Sequence, residues 1–338
     1  MRNWLLSLFT QVRKPRVYRI ISLSLFFLLI VFISYLLWRD GRKLLAYHLH
    51  FKPALLGLSF IVECSSLLIA VPVWRNVLGT YGVHQPLREH IKIYSYSSLA
   101  LILPGGIWSI VSRTALYQRL GSSKLAVTTA SLLETLLVGV AAAGVYSFTT
   151  ILDPRISLWK NAGIGVLFFI LILSFLHPKI FNRLLNWALR RAHRDEVLPQ
   201  VGFGLKHIVV WIGLEAVVLW IASLSIFALL ASVMDVDSSM LISMLAAWAA
   251  GVAASSLLFW LPGTPVLRDG TMVIALIPSL TMPMALVFVL LVRVWSMLSL
   301  LLAAGLVWLF FDLPFHRKKV RAPLLTQRDT QNTFGSKK

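Results

Sequence analysis

The sequence predicts an all-α polytopic membrane protein, and three observations indicate this class. Hydrophobic residues make up 58% of the 338 residues and charged residues only 13%, against about 25% charged residues in soluble domains. Two apolar stretches are each interrupted by Leu-Pro-Gly. Six uninterrupted runs are long enough to cross a bilayer, which takes about 20 apolar residues; they lie near 18–38, 53–74, 125–150, 161–176, 207–232 and 284–311. We therefore expect about six transmembrane helices and two re-entrant helical hairpins within one membrane domain, residues 1–338.

The two interrupted stretches, 91–120 and 240–280, are the predicted hairpins. Each has an apolar arm, then Leu-Pro-Gly, then a second arm that carries an arginine. Proline removes a backbone donor and glycine permits a sharp bend, so a helix breaks at this sequence. A helix from Ile91 to Leu103 measures about 20 Å at 1.5 Å per residue, which is shorter than the roughly 30 Å apolar core of a bilayer. A hairpin that returns to its own membrane face therefore fits better than a span.

The distribution of basic residues supports this topology. The formal net charge is +19, and cytoplasmic loops of membrane proteins carry an excess of Lys and Arg. With two hairpins and a cytoplasmic N-terminus, 24 of the 32 Lys and Arg residues fall on the cytoplasmic side and 6 outside. If both stretches crossed the membrane, the division would be 17 to 13. Hairpins and two cytoplasmic termini are therefore expected, with a basic and disordered cytoplasmic tail at 312–338.

The order of elements predicts two inverted repeats, 18–150 and 161–311. The Leu-Pro-Gly sequences occupy corresponding positions, and Glu63 and Glu215 each lie in the span before a hairpin. Glu134 follows the first Pro-Gly by about the same distance as Arg293 follows the second, so these two residues form a candidate pair between the halves. Inverted repeats with broken helices are typical of secondary transporters, which bind substrate at the repeat interface.

Ionisable residues within the apolar segments are the candidate functional residues. A charge facing lipid costs about 3 kcal/mol on the insertion scale, so these side chains must face the bundle interior, pair with each other or contact water. We expect Arg113 and Arg268, just after the hairpin turns, to bind an anionic headgroup, because a guanidinium can bind phosphate through two hydrogen bonds. The remaining members of this set are expected to line a polar pathway: Glu63, Glu134, Glu215, Asp269 and Arg293. The alternative is a set of salt bridges that only fix helix packing.

Other motifs carry weaker predictions. Trp108 and Trp260 flank the two turns and could contact acyl chains or a sugar, or simply pack at an interface. The Asp235-Val236-Asp237 sequence resembles the Asp-x-Asp of many glycosyltransferases, but it lies on a short loop expected outside the membrane. The single cysteine, Cys64, excludes an internal disulfide. We expect no cofactor, no metal site and no nucleic-acid partner.

The hairpin sequences LILPGGIWSIVSRTALYQRLGSS and LPGTPVLRDGTMVIALI resemble the lysylphosphatidylglycerol synthase/flippase transmembrane family. This family includes the membrane portion of the bacterial multiple peptide resistance factor. In the first hairpin, Pro104, Gly105, Arg113 and Gly121 match the family pattern, and Trp108-Ser109 stands where many members have Gly-Glu.

In the second hairpin, Pro262, Gly263 and Arg268 match, and Asp269 replaces a glutamate. Thr264-Pro265-Val266 departs from the family's glycine-rich turn, which puts a shared substrate in doubt. The resemblance implies lipid translocation by a membrane domain without the soluble transferase domain.

The sequence thus predicts a lipid flippase, not an enzyme, that moves an anionic phospholipid or a polyprenyl-linked glycolipid across the bacterial cytoplasmic membrane. Its predicted substrate-binding residues are Arg113, Arg268, Pro104, Gly105, Pro262, Gly263 and Trp108. The partners expected are membrane lipids, a lipid- or glycan-synthesis enzyme and a second copy in a homodimer. Two alternatives stay open: an integral-membrane glycosyltransferase that uses a polyprenyl-phosphate sugar, and a non-transporting partner of a synthesis enzyme.

Overall fold

The computed structural model describes residues 50–103, 106–152, 183, 203–261 and 263–313. The predicted spans near 18–38 and 161–176 and nearly all of the predicted tail lie outside these residues. Pro104, Gly105 and Pro262, which the sequence places at the hairpin turns, also lie outside them.

The described residues form helices joined by short connections. The α-helices are α1 (Pro53–Gly79), α2 (Leu87–Ser98), α3 (Ile107–Gln118), α4 (Lys124–Leu152), α5 (Leu205–Val233), α6 (Met240–Leu257), α7 (Thr264–Leu276) and α8 (Met282–Val307). A short 3₁₀ helix, Leu99–Ile102, follows α2, and a π-helical turn, Trp308–Asp312, extends α8.

Five of these helices are long and apolar enough to cross a membrane: α1, α4, α5, α6 and α8. This confirms the prediction of a helical membrane protein, and four of them coincide with predicted spans. The fifth, α6, was predicted as a short hairpin arm, but its 18 residues correspond to about 27 Å of helix, close to the thickness of a bilayer core. By contrast, α2 has 12 residues and measures about 18 Å.

Helical arms are present at both predicted hairpins. We call α2, the 3₁₀ helix and α3 the first hairpin, and α6 and α7 the second hairpin; the two arms of each pack against each other. The return of each hairpin to its own membrane face stays a prediction.

The helix contacts follow one scheme in both halves. The central pair is α1 with α5. The second hairpin packs through α6 on α4, and the first packs through α2 on α8. The contact of α1 with α2 corresponds to that of α5 with α6. In the same way, α1 with α4 corresponds to α5 with α8, and α1 with α8 corresponds to α5 with α4. If α1–α4 are placed in register with α5–α8, every one of these contacts has its partner.

Small residues permit the closest of these contacts. A Cβ atom on Gly139 of α4 would lie 3.2 Å from the Ser256 Cβ of α6, and one on Gly251 of α6 would lie 2.6 Å from the Met272 Cγ of α7. Helices in membranes associate largely through such close packing, because lipid tails provide no hydrophobic drive between apolar surfaces. These glycines therefore set the distance of the second hairpin from α4 and the distance between its own arms.

Candidate functional site

A cavity of about 340 Å³ lies between the two hairpins. Five of the seven ionisable residues singled out from the sequence line it: Glu63, Arg113, Glu134, Arg268 and Arg293. The described residues also contribute hydroxyl groups from several helices: Tyr94, Ser98, Ser109, Thr135, Ser255, Ser256, Thr264 and Ser296. The sequence-predicted polar set therefore meets at one place, inside a bundle whose other inward positions are mostly apolar.

The two hairpins touch at this cavity. Gly106, at the start of α3, lines the cavity, and a Cβ atom placed on it would lie 3.2 Å from the Phe259 carbonyl oxygen of the second hairpin. Gly263 has φ = 87° and precedes α7; this left-handed conformation favours glycine, which has no Cβ to clash. Gly106 and Phe259, which lie beside the two Leu-Pro-Gly sequences, therefore contact each other at this cavity.

Arg113 is held tightly by the first half of the chain. Its Nη1 donates to Glu134 Oε2, and its Nε donates to Ser97 Oγ at 3.2 Å. The guanidinium lies between two aromatic rings, 4.4 Å from the Trp74 ring centroid and 4.3 Å from that of Tyr94. Cation–π contacts of this kind are strongest where water is excluded, and Arg113 is buried. The side chain is thus a fixed positive group in the cavity wall.

In the second half, Asp269 joins two arginines. Its Oδ1 accepts from Arg268 Nε at 3.1 Å, and its Oδ2 accepts from Arg293 Nη1. The Arg268 guanidinium lies 5.5 Å from the Trp248 ring centroid, and its side chain is 22% exposed against 8% for that of Arg113. Arg268 is therefore the more accessible of the two arginines that the sequence predicted to bind substrate.

The predicted pair of Glu134 with Arg293 is wrong. Glu134 pairs with Arg113 of its own half, and Arg293 pairs with Asp269 of its own half. The two pairs correspond in position, because each joins the second arm of a hairpin to the span that follows it. Their polarity is reversed: the hairpin supplies the cation in the first half, whereas in the second half it supplies the carboxylate that binds Arg293.

The other two acidic residues of the set are buried and form no ion pair with any described residue. Glu63 Oε2 accepts a hydrogen bond from Ser225 Oγ of α5 at 2.8 Å. Glu215 is 3% exposed, and its Oε1 has no hydrogen-bond partner among the described residues. Glu215 does not line the cavity, but it lies within electrostatic range of the Arg113–Glu134 pair. The polar region thus extends from the cavity wall into the α1–α5 contact.

Two other candidate features lie away from the cavity. Trp108 does not line it and is 38% exposed. Asp235 lies at the start of the α5–α6 connection, where its carboxylate accepts from Lys52 Nζ at 2.6 Å and lies 3.1 Å from His50 Nε2. These contacts hold the pKa of Asp235 below its usual value, mainly through Lys52. Among the described residues no group of three His, Cys, Asp or Glu side chains converges there or elsewhere in metal-binding geometry.

Sequence reasoning missed the aromatic and hydroxyl partners of the arginines. Trp74, Tyr94, Ser97 and Trp248 place the two guanidinium groups, but aromatic residues are frequent throughout the chain and none of these stood out. The polar run Tyr94–Ser98 in an otherwise apolar stretch is the one signal that points to them.

Comparison with known proteins found no match to this chain, either among protein-family models or among curated proteins.

Proposed function

We propose that this protein is a lipid transporter that moves an anionic phospholipid or a polyprenyl-linked glycolipid across a membrane. The observation that carries the proposal is the cavity between the hairpins, which is lined by charged and hydroxyl groups within a bundle of apolar helices. Ionisable residues at membrane depth are costly, and they typically mark a substrate or ion pathway.

The size of the cavity supports a headgroup as the bound part. A volume of about 340 Å³ is at the lower end of the range for small-molecule sites, roughly 300–1,000 Å³. A headgroup fits such a space, whereas acyl or prenyl chains extend from it into lipid. Exposed apolar side chains around the turns, including Leu101, Leu103 and Leu261, provide a surface for those chains.

The matched contacts of the two halves support an inverted-repeat transporter. In such proteins one half rocks against the other around a central site, so that each membrane face gains access in turn. The reversed polarity of the Arg113–Glu134 and Asp269–Arg293 pairs suits this scheme. A headgroup that leaves one half meets a differently charged surface in the other half.

Arg268 is the proposed headgroup ligand. Asp269 engages only its Nε, so both terminal nitrogens are available to donate hydrogen bonds to phosphate oxygens. Arg113, which is already bonded to Glu134 and Ser97 and enclosed by two rings, instead contributes fixed positive charge. Because Asp269 keeps Arg293 as a partner, the loss of Arg268 leaves no buried carboxylate unpaired.

The test is translocation of fluorescent phosphatidylglycerol in proteoliposomes, with phosphatidylcholine as the zwitterionic comparison. We expect Arg268→Gln to lower the phosphatidylglycerol rate about tenfold, the equivalent of one lost charge-assisted hydrogen bond. Arg268→Lys should retain part of the rate, because lysine keeps the positive charge but cannot form the bidentate hydrogen bonds of a guanidinium.

Arg119→Gln, which alters an exposed arginine at the end of α3, serves as the matched control and should transport like the wild type. Equal rates for Arg268→Gln and wild type would contradict the assigned role of Arg268. Absence of translocation by the wild type for every anionic and polyprenyl-linked lipid supplied would contradict the transport proposal itself.

A further inference from the structure

A second cavity, of about 370 Å³, lies where α1 ends and α2 begins. Its lining includes Arg75 and Asn76 from the end of α1, His84 and Gln85 from the connection, and His90 from α2. Among the described residues, no carboxylate lines it. The acidic residue that precedes His90 in the chain, Glu89, is directed instead to Lys92 at 3.7 Å. The cavity is therefore rich in hydrogen-bond donors and carries positive charge.

Several of these donors have no hydrogen-bond partner among the residues that the structure describes. The side chains of Arg75, Asn76 and Gln85 make no hydrogen bond or ion pair with any described residue. A guanidinium offers five N–H groups and a side-chain amide two. Three side chains of this kind around one cavity provide more donors than the surrounding protein uses.

His90 adds a buried donor to the cavity wall. Its Nδ1 lies 2.5 Å from the Tyr117 hydroxyl, which in turn accepts from Trp74 Nε1 at 2.8 Å. Because an indole N–H can only donate, the hydroxyl oxygen accepts from Trp74 and its proton is available for His90 Nδ1. We assign the tautomer in which the hydroxyl donates to Nδ1 and the imidazole proton lies on Nε2.

The Nε2 atom makes no hydrogen bond of normal geometry with a described residue, and the backbone of Gln85 lies near the ring. The side chain is 0% exposed. Burial, with a further effect of Arg75, lowers the pKa of His90 to about 4. His90 is therefore neutral at pH 7 and lines the cavity as a neutral imidazole.

We propose that this cavity binds a phosphate-type oxyanion through Arg75, the amides of Asn76 and Gln85, and His90. A guanidinium with neighbouring neutral donors suits the tetrahedral set of acceptor oxygens on phosphate. The site lies at the end of the bundle that the charge distribution predicts to be cytoplasmic. Its occupant is the phosphate of a lipid headgroup or free phosphate, and this binding does not depend on the transport proposal.

The cavity is also linked to the central site. Trp74, which donates to Tyr117, has its ring 4.4 Å from the Arg113 guanidinium. The chain His90, Tyr117, Trp74 and Arg113 thus connects an anion at the surface with the cationic wall of the cavity between the hairpins. All four of these side chains are buried.

The first experiment measures binding of inorganic phosphate to the purified protein by isothermal titration calorimetry. We expect Arg75→Gln to weaken binding at least about tenfold, because a hydrogen bond to a charged group is lost together with the charge. Arg119→Gln removes an exposed arginine at the end of α3 that does not line this cavity, and it should leave the affinity within about twofold, because solvent screens exposed charges outside the site. Asn76→Ala, a change at the exposed face of α1, should also weaken binding.

The second experiment distinguishes the two sources of phosphate. Native mass spectrometry of the protein in nanodiscs that contain phosphatidic acid and phosphatidylcholine measures which lipid is retained. Retention of phosphatidic acid that is lost in Arg75→Gln and displaced by inorganic phosphate identifies a lipid headgroup, whereas phosphate binding without lipid retention identifies a free-anion site.

Absence of both phosphate and phosphatidic acid binding in the wild type would overturn the proposal. So would equal losses in Arg75→Gln and Arg119→Gln, because binding would then reflect net surface charge alone. The phosphate and phosphatidic acid measurements do not require transport activity. A failure of transport in proteoliposomes would therefore contradict the transport proposal and not the anion-site proposal.

Discussion

At the scale of single residues, the hydroxyl of Tyr117 is a shared hydrogen-bond partner of two buried side chains. It joins Trp74 and His90, and all three side chains are buried. Tyr117→Phe leaves an indole N–H and an imidazole nitrogen without a partner, a cost of about 1–3 kcal/mol for each buried group. We expect a lower apparent Tm in detergent, whereas Tyr146→Phe, a half-buried tyrosine whose hydroxyl bonds no described residue, should leave Tm unchanged. An equal Tm for both variants would contradict a stabilising role of the Tyr117 hydroxyl.

The Arg113–Glu134 pair permits a sharper test at the same scale. Removing one partner of a buried ion pair costs about 3–5 kcal/mol, because the other charge stays buried alone, whereas replacing both partners by apolar residues is often nearly neutral. We therefore expect Arg113→Met to lower the yield and apparent Tm of folded protein strongly. The double variant Arg113→Met/Glu134→Met should recover most of the loss. Additive losses would show that Arg113 stabilises the protein mainly through Trp74 and Tyr94, which the second substitution does not restore.

At the scale of helices, Gly251 determines how closely the two arms of the second hairpin approach. A Cβ atom there would lie 2.6 Å from Met272 Cγ and 3.0 Å from the Arg268 carbonyl oxygen, so Gly251→Ala must displace α7, and overpacking of this kind costs about 1–3 kcal/mol. Gly213→Ala is the matched control, because Gly213 also lies within an apolar helix and a Cβ there meets nothing within 4 Å. We expect Gly251→Ala to lower both apparent Tm and phosphatidylglycerol translocation, and Gly213→Ala to lower neither. Full translocation by Gly251→Ala would show that the position of Arg268 is not critical.

The same scale explains which parts of the structure the sequence could predict. The length of the apolar runs located α1, α4, α5 and α8, because a bilayer imposes a minimum length on any crossing helix. Arg113, Glu134, Arg268 and Arg293 were found for a related reason, since charge in an apolar helix must face inward. Their partners were not predictable, because the choice of Glu134 by Arg113 depends on the relative register of α3 and α4, which hydropathy does not encode. The length of α6 was missed because the Leu-Pro-Gly sequence that follows it and the distribution of Lys and Arg both favoured a hairpin over a span.

At the scale of the whole molecule, the two halves share a contact scheme but their ends are closed differently. The first hairpin is tied to the end of α8 by polar contacts: Asp312 accepts from Lys92 at 2.8 Å and from Tyr96 at 2.5 Å. Arg88 adds a hydrogen bond to the Phe311 carbonyl and a contact with its ring. The corresponding contact, of α6 with α4, is instead formed by close packing at Gly139. Polar contacts at a membrane surface exchange readily with water, whereas tight apolar packing does not, so the α2–α8 end is the one expected to open first.

This asymmetry predicts that Asp312→Asn opens the central cavity at the end where α2 meets α8. The measurement is the rate at which a membrane-impermeant maleimide modifies a cysteine introduced at Ser109, a cavity-lining position, after Cys64, the single native cysteine, is replaced by serine. We expect a several-fold higher rate in Asp312→Asn, because the amide no longer neutralises Lys92 and the partly buried ion pair that held the helices is lost. Asp237→Asn, on the α5–α6 connection, should leave the rate unchanged. A rate unaffected by Asp312→Asn would mean that apolar packing alone closes both ends, and the two halves would then be equivalent in mechanism as well as in contact scheme.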